Sequence, residues 1–149
     1  MRELLHHGAN VNTAIKRGFT PLYIAGWNGH IEVVRELLHH GANVNTSNKG
    51  GNTPLYIAGG NGHIEVVQVL LNYGANVHIA NKKNHTPLHV ACRNGHVNVV
   101  RELLNHGAKM NIRTKEGFEP LYMARWNRHI EVVRELQNHG ANVNTANKQ

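Results

Sequence analysis

Residues 20–25 read TPLYIA, and the same pattern returns as TPLYIA at 53–58, TPLHVA at 86–91 and EPLYMA at 119–124. Each copy begins 33 residues after the previous one, with no insertion or deletion between copies. Strict self-similarity at such a period is the sequence signature of a repeat protein, in which each unit buries its apolar side chains by stacking on its neighbours. The period therefore decides the architecture.

A second marker follows the same 33-residue step. The pentapeptide GANVN begins at Gly8, Gly41 and Gly140, and the related GANVH and GAKMN begin at Gly74 and Gly107. We predict one solenoid domain made of a partial repeat over 1–14, full repeats over 15–47, 48–80, 81–113 and 114–146, and the start of a further repeat over 147–149. Because both ends fall inside a repeat, we expect the chain to be part of a longer array.

Local signals give every unit the same helix–turn–helix shape. Thr20 followed by Pro21 predicts a helix start. The threonine hydroxyl can accept a hydrogen bond from a free backbone amide of the first turn. Proline has no N–H group, and an N–H group at the first helical position would have no partner within the helix. Gly29 ends this helix, and another glycine ends a second helix whose apolar residues form one stripe. We predict helices near 21–28 and 31–40 and at their 33-residue translations, with a finger loop rich in Asn and Gly after each second helix.

These motifs resemble those of the ankyrin repeat family. The family motif T-P-L-H-x-A is complete at 86–91 and has Tyr in place of His in the other copies, while GHIEVV at 29–34 and 62–67 also matches the family pattern. The resemblance covers essentially the whole chain. It implies an all-α, ankyrin-type solenoid of stacked helix–turn–helix repeats with hairpin-like finger loops. Proteins of this family mostly bind other proteins, through the finger tips and the concave face formed by the first helices.

The fourth repeat departs from this pattern at three positions. Glu119 replaces the capping Thr, Arg128 replaces the glycine of the turn between the helices, and Gln137 replaces a core Leu. A lost cap costs about 1 kcal/mol, and a non-glycine residue at positive φ costs roughly 1 to 2 kcal/mol. Because a terminal repeat needs a more polar outer face, two interpretations stay open: adaptation of a capping repeat, or drift.

The composition favours binding over catalysis. All nine acidic residues are Glu, so the chain lacks the Asp that many catalytic and metal sites use. Cys92 follows His89 by three residues but occupies the column of Gly26 and Gly59, which predicts a small buried thiol rather than a nucleophile. The resemblance implies local hydrogen bonding for one histidine column, made of His30, His63, His96 and His129. We predict no enzymatic activity, no cofactor and no metal site.

The cellular compartment is inferred from targeting signals and cysteine content. The N-terminus has no apolar segment of the kind a secretory signal requires, and no apolar run is long enough to span a membrane. The single cysteine excludes an internal disulfide framework. We therefore expect an intracellular, cytoplasmic protein that does not bind membranes.

Basic charge is concentrated on the finger loops. Nine of the 16 Lys and Arg residues fall there, but only one of the 9 acidic residues, Glu116, does. Five lysines stand in one column at 33-residue steps, namely Lys16, Lys49, Lys82, Lys115 and Lys148. The column is interpreted either as a surface for an anionic partner or as a device that keeps the finger tips soluble.

Aromatic residues share columns with polar ones beside these fingers. One column, at the finger root, contains Phe19, Asn52, His85 and Phe118, and one in the first helices contains Trp27, Gly60, Arg93 and Trp126. Exposed aromatic and Arg side chains are typical of interface hot spots, although aromatic caps over small neighbours would give the same pattern. The predicted partner-binding residues are Lys16, Arg17, Phe19, Trp27, Lys49, Asn52, Lys82, Lys83, His85, Arg93, Lys115, Phe118, Arg125 and Trp126.

These observations lead to two functional hypotheses. The first is a non-enzymatic protein–protein interaction module that binds an acidic protein or peptide through its concave face and basic finger tips. The alternative is a polyanion-binding protein that contacts RNA or DNA phosphates through the lysine column.

Overall fold

The computed structural model describes residues 11–140 and has the predicted all-α solenoid architecture. Within this range the regular elements are eight α-helices and one short 3-10 turn, and no residue of it forms a strand. Each helix ends within one residue of the predicted position. The helices are α1 (Pro21–Asn28), α2 (Ile31–His39), α3 (Pro54–Gly60), α4 (Ile64–Asn72), α5 (Pro87–Asn94), α6 (Val97–Asn105), α7 (Pro120–Trp126) and α8 (Ile130–Asn138).

Threonine caps begin three of the four first helices, as predicted. The Oγ1 atom of Thr20 accepts a hydrogen bond from the backbone amide of Tyr23 at 3.2 Å. Thr53 and Thr86 accept the equivalent bond at 3.2 and 3.3 Å. In each case proline is the first helical residue. The repeated sequence thus satisfies the same free amide at the start of each helix.

The core is continuous along the stack. First helices pack on the first helices of adjacent repeats, and second helices pack on second helices. Helices of seven to nine residues are marginal alone, so this inter-repeat burial is what stabilises them. The leucines that form the core in every repeat are at most 2% exposed, and they are Leu22, Leu55, Leu88 and Leu121 in the first helices and Leu37, Leu70, Leu103 and Leu136 in the second.

Side-chain amides fix the finger loops. The Oδ1 atom of Asn48 accepts hydrogen bonds from the backbone amides of Gly50 and Asn52 at 2.9 and 3.0 Å. Asn81 makes the equivalent pair of bonds one repeat later. In the fourth repeat Thr114 takes this position and accepts from Phe118 at 3.2 Å. The fingers are therefore held in a defined shape beside the first helices.

The three departures of the fourth repeat have visible consequences. Glu119 makes no side-chain cap to its helix, and its carboxylate pairs instead with Arg113 at 3.5 Å. Arg128 adopts the left-handed conformation, with φ of 61°. Gln137 is exposed, whereas the corresponding leucines of the other repeats are buried. The fourth repeat keeps the fold with fewer stabilising interactions of its own.

Some predictions fall outside the described residues. These are most of the partial repeat over 1–14, the end of the repeat over 114–146, and the segment 147–149, which includes Lys148. Among residues 11–140, no helix combines the length and apolar character needed to cross a bilayer.

Candidate functional site

Three side-chain positions of every repeat form one surface, which we call the first-helix face. They are the finger root and the residues four and eight positions later, and this spacing puts them on one side of the helix. The finger-root positions are Phe19, Asn52, His85 and Phe118. The second positions are Tyr23, Tyr56, His89 and Tyr122. The third positions are Trp27, Gly60, Arg93 and Trp126.

The first repeat carries an N-terminal aromatic cluster made of Phe19, Tyr23 and Trp27. The Phe19 and Tyr23 rings stack with centroids 5.1 Å apart, and Trp27 meets both edge-on at 6.1 and 6.0 Å. Tyr23 is buried, whereas Trp27 is 47% exposed. Burial raises the pKa of Tyr23, and hydrogen bonds with Asn52 and Asn48 oppose the rise. The hydroxyl is thus tied to the next finger while the indole stays available to a partner.

The fourth repeat carries a C-terminal aromatic cluster made of Phe118, Tyr122 and Trp126. The Phe118 and Tyr122 rings are nearly parallel, with centroids 4.5 Å apart and an interplanar angle of 9°. Tyr122 also stacks with Trp126 at 6.1 Å, and Trp126 is 74% exposed. Both aromatic clusters therefore end in a tryptophan that is open to solvent.

The centre of the first-helix face is polar. Gly60 holds the tryptophan position of the second repeat because a β-carbon there would lie 2.9 Å from Cγ2 of Val90. In the third repeat Arg93 takes that position and lies close to the side chain of Tyr56. Burial raises the pKa of Tyr56, and the charge of Arg93 opposes the rise. A cation thus stands between the two aromatic clusters.

His85 lies beside this cation. Its Nε2 atom is 3.9 Å from a carboxylate oxygen of Glu116. Burial lowers the pKa of His85, the charges of Arg93 and Lys83 lower it further, and Glu116 opposes them. Cationic side chains therefore outnumber the single carboxylate around His85.

The described finger lysines form a regular row, which we call the lysine row: Lys49, Lys82 and Lys115. Each backbone amide donates to a carbonyl oxygen of the preceding finger at 3.0 Å, and the three acceptors are Arg17, Gly50 and Lys83. The three lysines are exposed. The same backbone hydrogen bond positions each of the three lysines. The lysines therefore repeat at the spacing of the fingers.

The structure also describes most of the remaining predicted site residues. Arg17, Lys83 and Arg125 are exposed. Asn52 accepts a hydrogen bond from Nδ2 of Asn81 at 2.9 Å. Lys148 and the side chain of Lys16 lie outside the described part of the chain. As a binding site, the set stays a prediction.

The sequence prediction missed the tyrosines of the first-helix face, Tyr23, Tyr56 and Tyr122. They belong to the repeated family motif, which does not by itself say which face they occupy. The signal that could have found them is the spacing of four residues between each finger root, the tyrosine and the third position, because residues four apart are neighbours on a helix.

Cys92 is buried, as predicted, and so is His89. Cys92 is fully buried, and burial raises the pKa of its thiol well above the ordinary value. His89 is also fully buried, which lowers its pKa to about 4. Its Nδ1 atom accepts from the amide of Thr86 at 3.1 Å, and its Nε2–H donates to the carbonyl of Phe118 at 3.0 Å. Nδ1 therefore completes the cap of its own helix, and Nε2 joins the third repeat to the fourth.

The histidine column at the start of the second helices makes bonds between repeats rather than the local bonds expected from the resemblance. Nε2 of His63 donates to the carbonyl of Trp27 at 2.9 Å, 36 residues away. His96 and His129 make the equivalent bonds to Gly60 and Arg93 at 3.0 and 2.8 Å. In residues 11–140, no group of three or more potential ligands could hold a metal ion. The column fixes the backbone that carries Trp27 and Arg93.

Comparison with known proteins identifies the type of repeat. Residues 1–81 and 73–147 match a family model described as "Ankyrin repeats (3 copies)". A search of curated proteins found no match to the chain. Ankyrin repeats are generally protein–protein interaction modules and are typically not enzymes.

Proposed function

Because the chain belongs to the ankyrin repeat family, we propose that it is a non-enzymatic interaction module whose first-helix face and finger tips bind an acidic segment of another protein. The observation that carries the proposal is the pair of aromatic clusters, each ending in an exposed tryptophan. Tryptophan is the residue most enriched among interface hot spots, and neighbouring rings hold each indole in place, which lowers the entropy lost on binding.

The distribution of charge supports an acidic partner. Arg93 lies between the aromatic clusters, and the lysine row follows the adjacent finger edge. Complementary charge mainly raises the association rate and selects among partners, whereas apolar anchors supply most of the affinity. An extended segment with apolar residues near its ends and carboxylates between them fits both features.

The separation of the clusters sets the length of this segment. Three repeat steps at the 8–10 Å spacing of packed helices separate Trp27 from Trp126 by roughly 25 to 30 Å. An extended chain rises about 3.3 Å per residue, so two apolar anchors about nine residues apart would reach both clusters. This spacing defines a probe that can be synthesised.

The probe is a 12-residue peptide with leucine at positions 2 and 11 and glutamate at alternate positions between them. A matched neutral peptide has glutamine in place of glutamate. Fluorescence anisotropy at about 150 mM salt should show saturable binding of the acidic peptide and weaker binding of the neutral one. A third peptide, which keeps the glutamates but has serine for both leucines, should also bind weakly. Equal binding of the serine peptide would contradict the proposal.

The lysine row favours a second candidate, binding of nucleic-acid phosphates. Its exposed charges repeat regularly along one edge, as a phosphate backbone does. Phosphate binding should fall steeply with salt and be indifferent to base sequence. A single-stranded RNA of 12 nucleotides is the corresponding probe. RNA binding tighter than acidic-peptide binding, with a log–log salt slope of about −2 or steeper, would favour this candidate.

A further inference from the structure

Glu116 has an unusual position among the finger residues. It is the single acidic residue of the predicted finger loops, and it occupies the column of Arg17, Gly50 and Lys83. The fourth finger therefore presents a carboxylate where two other fingers present a cation. Its neighbours suggest a reason for this reversal.

The Glu116 carboxylate faces the centre of the first-helix face. Its oxygen lies 3.9 Å from Nε2 of His85, whose side chain is 12% exposed, whereas that of Glu116 is 57% exposed. The positive charges of Arg93 and Lys83 lie close enough to lower the pKa of the same imidazole, and Arg93 also lies near Tyr56. The imidazole is the largely buried part of this centre, and the exposed Glu116 carboxylate is the part open to exchange with solvent.

We propose that the centre formed by His85, Arg93 and Lys83 is a subsite for a carboxylate of the bound segment, and that Glu116 occupies this subsite in the free protein. The inference rests on the proposed function, because it assigns the middle of the acidic segment to this centre. A carboxylate of the partner displaces Glu116 towards solvent. The chain's own carboxylate thus competes with the ligand and lowers its affinity.

The size of the competition follows from the exposure of Glu116. Pairs between exposed charges are weak, because water and salt screen them. Replacing Glu116 by the uncharged Gln should therefore tighten binding of the acidic peptide by about two- to fivefold. The gain should be absent with the neutral peptide, which has no carboxylate to place in the subsite.

The control is Glu65→Gln. Glu65 is an exposed residue in the first turn of α4, a second helix, so its replacement changes the net charge equally without touching the first-helix face. The measurement is the dissociation constant of the acidic and neutral peptides for wild type, Glu116→Gln and Glu65→Gln in the same buffer. We expect a gain specific to Glu116→Gln and to the acidic peptide.

The other outcomes identify which idea fails. If wild type binds the acidic peptide and Glu116→Gln binds it no better than Glu65→Gln does, the subsite is wrong and the proposed function stands. If wild type does not distinguish the acidic peptide from the serine peptide, the proposed function fails and the subsite with it. A second readout is the His85 ring signal in NMR spectra of Glu116→Gln, which the acidic peptide should shift back towards its wild-type position, because the peptide carboxylate then replaces the missing one. An unchanged His85 signal at saturation would overturn the subsite.

Discussion

The imidazole of His96 lies directly against Gly62, so that a β-carbon added at Gly62 would lie 2.7 Å from Nδ1 of His96. Gly62 also has a φ of 75°. Glycine is therefore needed at this turn for two independent reasons, the left-handed backbone and the ring of the next repeat. The same relationship holds for Gly29 with His63 and for Gly95 with His129.

Gly62→Ala should consequently destabilise the protein more than a glycine substitution that affects the backbone alone. The matched control is Gly74→Ala, because Gly74 has a φ of 89° but no atom within 4 Å of the added carbon. We expect about 1 kcal/mol for the control, and at least about 1 kcal/mol more for Gly62→Ala. Urea denaturation measures both. Equal losses would show that the His96 ring moves aside at no cost.

How far the sequence predicts this structure depends on whether a feature lies within one repeat. The cap of Thr20 and the burial of Leu37 are local, and periodicity with capping rules predicts them. The bond from His63 to the Trp27 carbonyl and the contact of His85 with Glu116 join groups in adjacent repeats. Such contacts depend on the rise and twist between repeats, which no motif inside one repeat specifies.

Unfolding should begin in the fourth repeat. Glu119 lacks the helix cap, and the left-handed backbone of Arg128 costs roughly 1 to 2 kcal/mol. Native-state hydrogen exchange should show weaker protection across 119–139 than across 53–73, and Arg128→Gly should raise protection in the former segment. Equal protection in wild type would mean that the pair between Glu119 and Arg113 compensates, and would favour the interpretation of a capping repeat.

Acid should destabilise the protein through His89. Its pKa is about 4 in the folded state against an ordinary value of 6.5, so between these values the unfolded chain binds a proton that the folded chain does not. The contribution of neutral His89 to the free energy of unfolding is fully present above pH 6.5 and is lost as the pH falls towards 4. The loss from this residue is at most about 3 kcal/mol. Urea midpoints at pH 7.0 and 4.5 measure the loss.

The control for this prediction is His89→Tyr, because tyrosine stands at this position in the other described repeats. The variant should lose clearly less stability between pH 7.0 and 4.5 than wild type does. His85, whose pKa is also lowered, remains in both proteins and accounts for part of the residual dependence. Identical losses in the two proteins would rule out His89 as the main acid-sensitive group.

Cys92 should react slowly with thiol reagents in the native state. Its side chain is fully buried, and burial raises the pKa of the thiol, so neither access nor the thiolate form is available at pH 8. The rate of reaction with an aromatic disulfide reagent should increase by orders of magnitude in denaturing urea, which serves as the positive control. Rapid native labelling with a depressed thiol pKa would instead revive a reactive pair with His89.

Binding of the acidic peptide should depend on the two tryptophans more than on any one lysine. Trp27→Ala and Trp126→Ala should each weaken binding by about 2 kcal/mol, because a buried aromatic anchor is lost in the complex. Lys49→Ala should mainly slow association and flatten its salt dependence. Stopped-flow rates and equilibrium anisotropy separate the two effects.

Tyr73→Ala is the matched control for the tryptophan substitutions. Tyr73 is 48% exposed, close to the 47% of Trp27, but it lies at the C-terminal end of α4, a second helix, away from the first-helix face. Its replacement should leave peptide binding unchanged. If both tryptophan variants bind as tightly as wild type while alanine at Lys49, Lys82 or Lys115 weakens binding uniformly, affinity comes from charge alone. Contact between the lysine row and a polyanion then becomes the better account of the protein.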